Sequence, residues 1–291
     1  TIILIASWRQ VDREDGATAR AEVSALTGAL DHRGPILFMA AIPTFLLAST
    51  TEFLSQGISS FPLLWVIPLM LYLTSFIVSF RNHRLDVAGI PFGFWALVAS
   101  VPAFIVVPFL NLSAVFYWVG FVSILLFFFL VCIYFHNRIY DQRPRVDDLG
   151  SFYVWLTFGG AMGSGVVGMV LPLVLDRQIE VYAALGLISL YFVSRYLEWL
   201  NDRVPELVVH GIKGFILFTC VAFVGSLLVL NDSIANDRNF YGTVSVVDVT
   251  RMVNGEEIPV RAIVNGATNH GLQALDERYE SSAASYYGPD S

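Results

Sequence analysis

Charge is scarce in this sequence. Asp, Glu, Lys and Arg make up only 14% of the 291 residues, and Lys213 is the single lysine. A soluble domain carries roughly 25% charged residues, so an ordinary water-facing surface is excluded over most of the chain. The formal net charge of −7 leaves no basic face, which disfavours nucleic acid as a partner. Cysteine is nearly absent too. Cys132 and Cys220 lie inside apolar runs, lack zinc-site spacing and read as small buried apolar residues. No spacing of His, Cys, Asp and Glu points to a metal, and no Ser/His/Asp arrangement points to a nucleophile. Ionisable residues also avoid the middles of the apolar runs. Glu52, Asp86, Asp176, Glu180 and Glu198 fall at or beyond run ends, and His136 begins a loop, which argues against a proton-coupled transporter.

Apolar residues, by contrast, are abundant: 56% of the chain, with 23 Phe and a mean hydropathy of +0.65. They fall into about seven runs near the ~20 residues that cross a bilayer core: 35–54, 62–80, 88–110, 113–135, 152–175, 179–197 and 211–230. The fold class expected is therefore mainly α, a polytopic transmembrane helical bundle at 35–230 with the lipid bilayer as its surroundings. Residues 1–34 read as the cut end of a helix, Thr1–Ala6, and a polar linker. Arginines concentrate in the linker and after the second, fourth and sixth runs, so that side is cytoplasmic by the positive-inside rule. Seven crossings then put the C-terminal segment outside. If the proline-rich third run or the glycine-rich fifth is re-entrant, it lies inside.

Within the fifth run, Gly159 pairs with Gly163 and Ser164 with Gly168 at a spacing of four. Small residues so spaced let another helix approach closely. A phosphate-binding loop would need a strand before it and a helix after it, which a continuous apolar run does not supply. Loop 136–151 mixes Arg138, Arg143 and Arg145 with Asp141, Asp147 and Asp148. It reads as a solvated loop, or else as a docking surface for the C-terminal segment.

After Leu230 the pattern changes. Residues 231–238 are a polar exit, 240–250 are rich in Val and Thr, and Asn254-Gly255 is a hairpin-turn signal. A returning strand at 259–264, a second Asn-Gly pair at 265–266 and a third strand at 267–273 complete a small antiparallel meander. Three strands alone bury too little apolar surface for stability, so the meander reads as the start of a larger domain. His270 is the only histidine of this tail and lies in a polar turn with Asn269 and Gln273; Tyr286 and Tyr287 come shortly after. Imidazole, amide and phenol groups bind a ligand's polar atoms, and aromatic faces attract a cation. A lone histidine equally serves as a structural hydrogen-bonder.

These residues carry a resemblance. Pro62-Leu-Leu-Trp-Val-Ile-Pro-Leu-Met-Leu-Tyr-Leu73, then Arg238-Asn-Phe-Tyr-Gly242, then Asn265-Gly266 with Thr268, His270-Gly271 and Gln273, then Tyr286-Tyr-Gly-Pro289 together resemble the membrane-fused spermidine synthase-like proteins. The resemblance implies that 231–291 is the N-terminal β-region of an α/β aminopropyltransferase-like domain in a multi-pass protein of the cell (inner) membrane. It implies decarboxylated S-adenosylmethionine as co-substrate and a diamine, putrescine, as acceptor. Gln273 and Tyr286 or Tyr287 match ligand-lining positions. The glycine-rich cofactor loop and the catalytic aspartate of such enzymes have no counterpart in these residues, so no catalytic residue is assigned and the chain reads as an inactive fragment with no cofactor of its own. A polyamine transporter and a non-catalytic membrane scaffold are the alternative readings, and homo-oligomerisation is left open.

Overall fold

The fourth apolar run, with its Phe-rich centre, becomes the middle of the bundle. A computed structural model describes residues 34–55, 63–81, 92–106, 114–144, 148–200, 205–208, 210, 211, 214, 217, 233–239, 241–253, 256–266 and 268–279. Helices α1 (Gly34–Ser55), α2 (Val66–Phe80), α3 (Phe92–Val106) and α4 (Ala114–Asp141) come first. Then come α5 (Leu149–Gly165), a π-helical turn (Val166–Val170), α6 (Leu171–Val174) and α7 (Glu180–Leu200). Strands β1 (Ser233–Asn239), β2 (Gly242–Val253), β3 (Glu256–Asn265) and β4 (Thr268–Ala274) close the order.

Helix α4 buries Phe127, Phe128, Val131, Cys132, Phe135 and Ile139. It packs on α2 and α3, and α3 on α7. The α3 contact is tight at Gly93, where an added Cβ would stand 2.7 Å from the Phe192 ring and 3.2 Å from that of Tyr134. Among the described residues three helices are long and apolar enough to cross a membrane: Gly34–Ser55, Trp118–Asp141 and Leu149–Val174. They coincide with the first, fourth and fifth expected runs and mark the chain as a membrane protein. Helix α2, 15 residues long, rises about 22 Å, short of a ~30 Å core, and α3 is described over 15 residues. Helix α7 falls in the sixth expected run, and its sequence includes Glu180, Arg195 and Glu198. Most of the seventh expected run lies outside the described residues, as does Cys220.

Two expectations need correction. His136 does not begin a loop. Helix α4 continues through it to Asp141, and its side chain is 1% exposed. Its Nδ1 lies 2.9 Å from Ser75 Oγ, and its ring lies 3.8 Å from that of Phe76. A partner on α2 satisfies the imidazole, so the helix has no reason to end there. Residues 233–239 are likewise not an exit segment but a strand, making the meander four-stranded, antiparallel and ordered β1-β2-β3-β4. This strand escapes an apolar alternation test because its pairing is polar: Ser245 Oγ donates to Asn236 Oδ1 at 2.6 Å, and Arg238 opposes Thr243.

The other three strands keep the expected order. Val253 pairs with Glu256 and Asn265 with Thr268, so each link is two residues long. Gly266 takes φ 54°, a left-handed conformation that costs a glycine little. Ile258, Val260 and Ala262 alternate inward on β3 and, with Ala274 and Leu272 of β4, form the inner face.

Candidate functional site

The candidate residues of the tail divide by position. Between Ile263↔Gly271 and Val264↔Asn269 the register of β3 and β4 shifts, leaving His270 as the extra residue of a β-bulge. The Asn269 side chain holds the bulge, its Oδ1 accepting from the Gly271 backbone N–H at 3.0 Å. His270 is exposed. Gln273, also exposed, stands opposite Arg261, which stands opposite Asp248. Asp248, Arg261 and Gln273 thus form a polar row across three strands of the outer face. Arg261 donates to both Asp248 oxygens, Nε at 2.8 Å and Nη2 at 2.9 Å. That bond holds the Asp248 carboxyl below its usual range. Tyr286 and Tyr287 lie outside the described residues. Among the described residues no group of three or more His, Cys, Asp or Glu is placed to hold a metal ion.

The glycines of α5 have a separate role. A Cβ added at Gly159 would meet Leu37 O and come within 3.0 Å of Ala40 Cβ; one at Gly163 would meet Ala41 O and Thr44 Oγ1. Helices α1 and α5 therefore touch backbone to backbone here, as small residues permit. Ser164 and Gly168 do not share this contact. Both are exposed, and a Cβ at Gly168 would meet nothing within 4 Å. The change falls where the helix becomes π-helical before Pro172. Proline cannot donate to the carbonyl of residue 168, and a π-turn absorbs that break. Past Gly163 the two helices part, and a cavity of about 350 Å³ opens, lined from α1 by Thr44 and Glu52 and from the other side by Ser164 and Gly168.

A buried ionic cluster joins the sheet to the bundle. The Arg238 side chain is 0% exposed, Glu180 3% and Glu52 19%. Arg238 grips Glu180 with two nitrogens, Nη1 to Oε2 at 3.1 Å and Nη2 to Oε1 at 2.5 Å. Nη2 also donates to Glu52 Oε1 at 3.0 Å, and Nη1 to the Arg177 carbonyl at 2.7 Å. Gln178 Nε2 adds a bond to the same Glu52 oxygen at 3.2 Å. Burial opposes the guanidinium charge, but Glu180 and Glu52 outweigh it and raise the Arg238 pKa. One residue of β1 thus ties together the end of α1, the 177–178 turn and the start of α7. Sequence reading placed Glu52 and Glu180 at run ends without partners. The partners lie 186 and 58 residues away, and no local pattern reveals them.

Comparison of the chain with family models, curated proteins and solved structures finds no match.

Proposed function

We propose that the chain is the membrane-anchored part of a spermidine synthase-like protein whose reaction moves an aminopropyl group from decarboxylated S-adenosylmethionine to putrescine. The observation that carries this reading is the β-meander itself. It follows the helices along the chain, and His270-Gly271 and Gln273 fall on one strand of it. In the reaction, the neutral amine nitrogen attacks the propyl carbon beside the sulfonium. A C–N bond forms, the C–S bond breaks, and methylthioadenosine leaves with the electron pair. A carboxylate removes the proton from the attacking amine, since only a neutral amine is nucleophilic. In this reading Gln273 and Tyr286 or Tyr287 line the ligand site. The catalytic carboxylate and the glycine-rich loop are not among these residues. The helices fix the enzyme in the cell membrane as a multi-pass protein.

The test is methylthioadenosine release by the full-length protein in lipid nanodiscs, supplied with decarboxylated S-adenosylmethionine with and without putrescine. Putrescine-dependent release, weakened by Gln273→Ala, is expected. A folded protein that releases none overturns the reading. Putrescine flux into vesicles without transfer would point instead to the transporter.

A further inference from the structure

We propose that the cavity between α1 and the π-helical turn binds a small primary ammonium ion, held on the carboxylate of Glu52. This proposal does not rest on the functional reading of the meander. The cavity, about 350 Å³, lies at the lower end of the roughly 300–1,000 Å³ typical of small-molecule pockets. Its polar lining offers acceptors. Thr44 Oγ1 donates to Ala40 O at 3.1 Å and Ala41 O at 3.0 Å, Ser55 Oγ to Thr51 O at 2.7 Å, and Ser164 Oγ to Gly160 O at 3.0 Å. A hydroxyl has one hydrogen and two lone pairs. With its hydrogen committed to its own helix, each of these turns only lone pairs toward a ligand.

Glu52 supplies the charge. Its bonds to Arg238 and Gln178 both end on Oε1, so Oε2 accepts no bond among the described residues. Two carboxylates, Glu52 and Glu180, share the single Arg238 guanidinium. Among the described residues no lysine or arginine lines the cavity itself. A complementary ligand brings both positive charge and N–H donors. The remaining wall, including Leu47, Val167 and Pro172, is apolar and suits a short alkyl chain. Among the described residues no aromatic ring lines the space, so they offer none of the cation–π recognition that quaternary ammonium ions use. Charge, donor count and wall together select an alkyl primary amine over a quaternary ammonium or a bare alkali ion.

The test is calorimetric titration of the full chain in lipid nanodiscs with n-butylammonium chloride, with tetramethylammonium chloride and sodium chloride in parallel. Butylammonium is expected to bind and the other two are not. Glu52→Gln is expected to weaken binding by about tenfold or more, the loss of a charge-assisted hydrogen bond. Gly168→Leu is the second variant. An added Cβ meets nothing there, so the fold is kept while the side chain fills the cavity, and binding is expected to vanish. Butylammonium binding unchanged in both variants overturns the proposal, as does equal binding of tetramethylammonium or sodium, or no binding by the unaltered chain. Failure here leaves methylthioadenosine release untouched, so the two readings fail separately.

Discussion

Arg238 on β1 and Arg261 on β3 belong to one sheet, and each holds a carboxylate through two nitrogens. Arg261 reaches Asp248 at 2.8 and 2.9 Å, and Arg238 reaches Glu180 at 3.1 and 2.5 Å. Their surroundings differ. The Arg261 side chain is 44% exposed, so water and salt screen its pair. The Arg238 side chain is shut away between the sheet and the helix ends. Exposed pairs contribute little to stability even at ideal geometry. A buried pair has already lost its hydration, so removing one partner strands the other. Burial, not the quality of the bonds, decides which arginine the structure depends on.

Four changes put this contrast to the test. Arg238→Met is expected to do most. It leaves Glu52 and Glu180 facing each other without a cation, at a cost of about 3–5 kcal/mol. The readout is a lower thermal midpoint in detergent together with faster hydrogen exchange in β1 and β2. An unchanged midpoint would show that the sheet does not lean on this cluster. Glu180→Gln comes next. It removes the charge behind two hydrogen bonds, about 1.5–3 kcal/mol, and Glu52→Gln should cost less because Arg238 keeps Glu180. If the two variants are equal, the two carboxylates bear equally on Arg238. Arg261→Ala should lower the midpoint only slightly and alter exchange only beside Asp248 and Gln273. The smallest effect is on acidification. The Asp248 carboxyl is depressed by the Arg261 bond, so its stabilisation is present above the unfolded pKa, about 4. It is lost as pH falls through the lower folded value. Comparing parent and Arg261→Ala midpoints below pH 4 checks the sign: the gap should close, not open.

The same contrast between local and distant partners decides what was legible from residues alone. Helices α1, α4 and α5 are legible because a long apolar run is a local property. The Gly159 and Gly163 row against α1 is legible because four-residue spacing already defines a helix face. Strands β2 to β4 are legible from Val and Thr content and from paired Asn-Gly turns. Strand β1 is not, because Asn236 and Arg238 meet polar partners where an apolar alternation is sought. His136 is misread because its partner Ser75 lies 61 positions away. Of the candidate site, His270 and Gln273 are legible as polar residues on one stretch. The bulge that separates them from a regular strand is not, because it depends on the pairing of β4 with β3. The Arg238 cluster is assembled from three distant segments and leaves no trace in spacing.

The bulge at His270 also governs how this sheet can grow. Strand β1 lies against α6, and β4 is last in the order β1-β2-β3-β4 among the described residues. β4 is therefore where the ladder ends among the described residues, and a strand rim is in general a template for pairing. The bulge interrupts that template and leaves only Gly271 to Ala274 straight, a stretch of about 13 Å. So short a rim discourages adhesion between separate molecules. A strand tethered to the same polypeptide meets it at high effective concentration and needs far less length to pair. The bulge thus shortens the straight part of this rim to four residues.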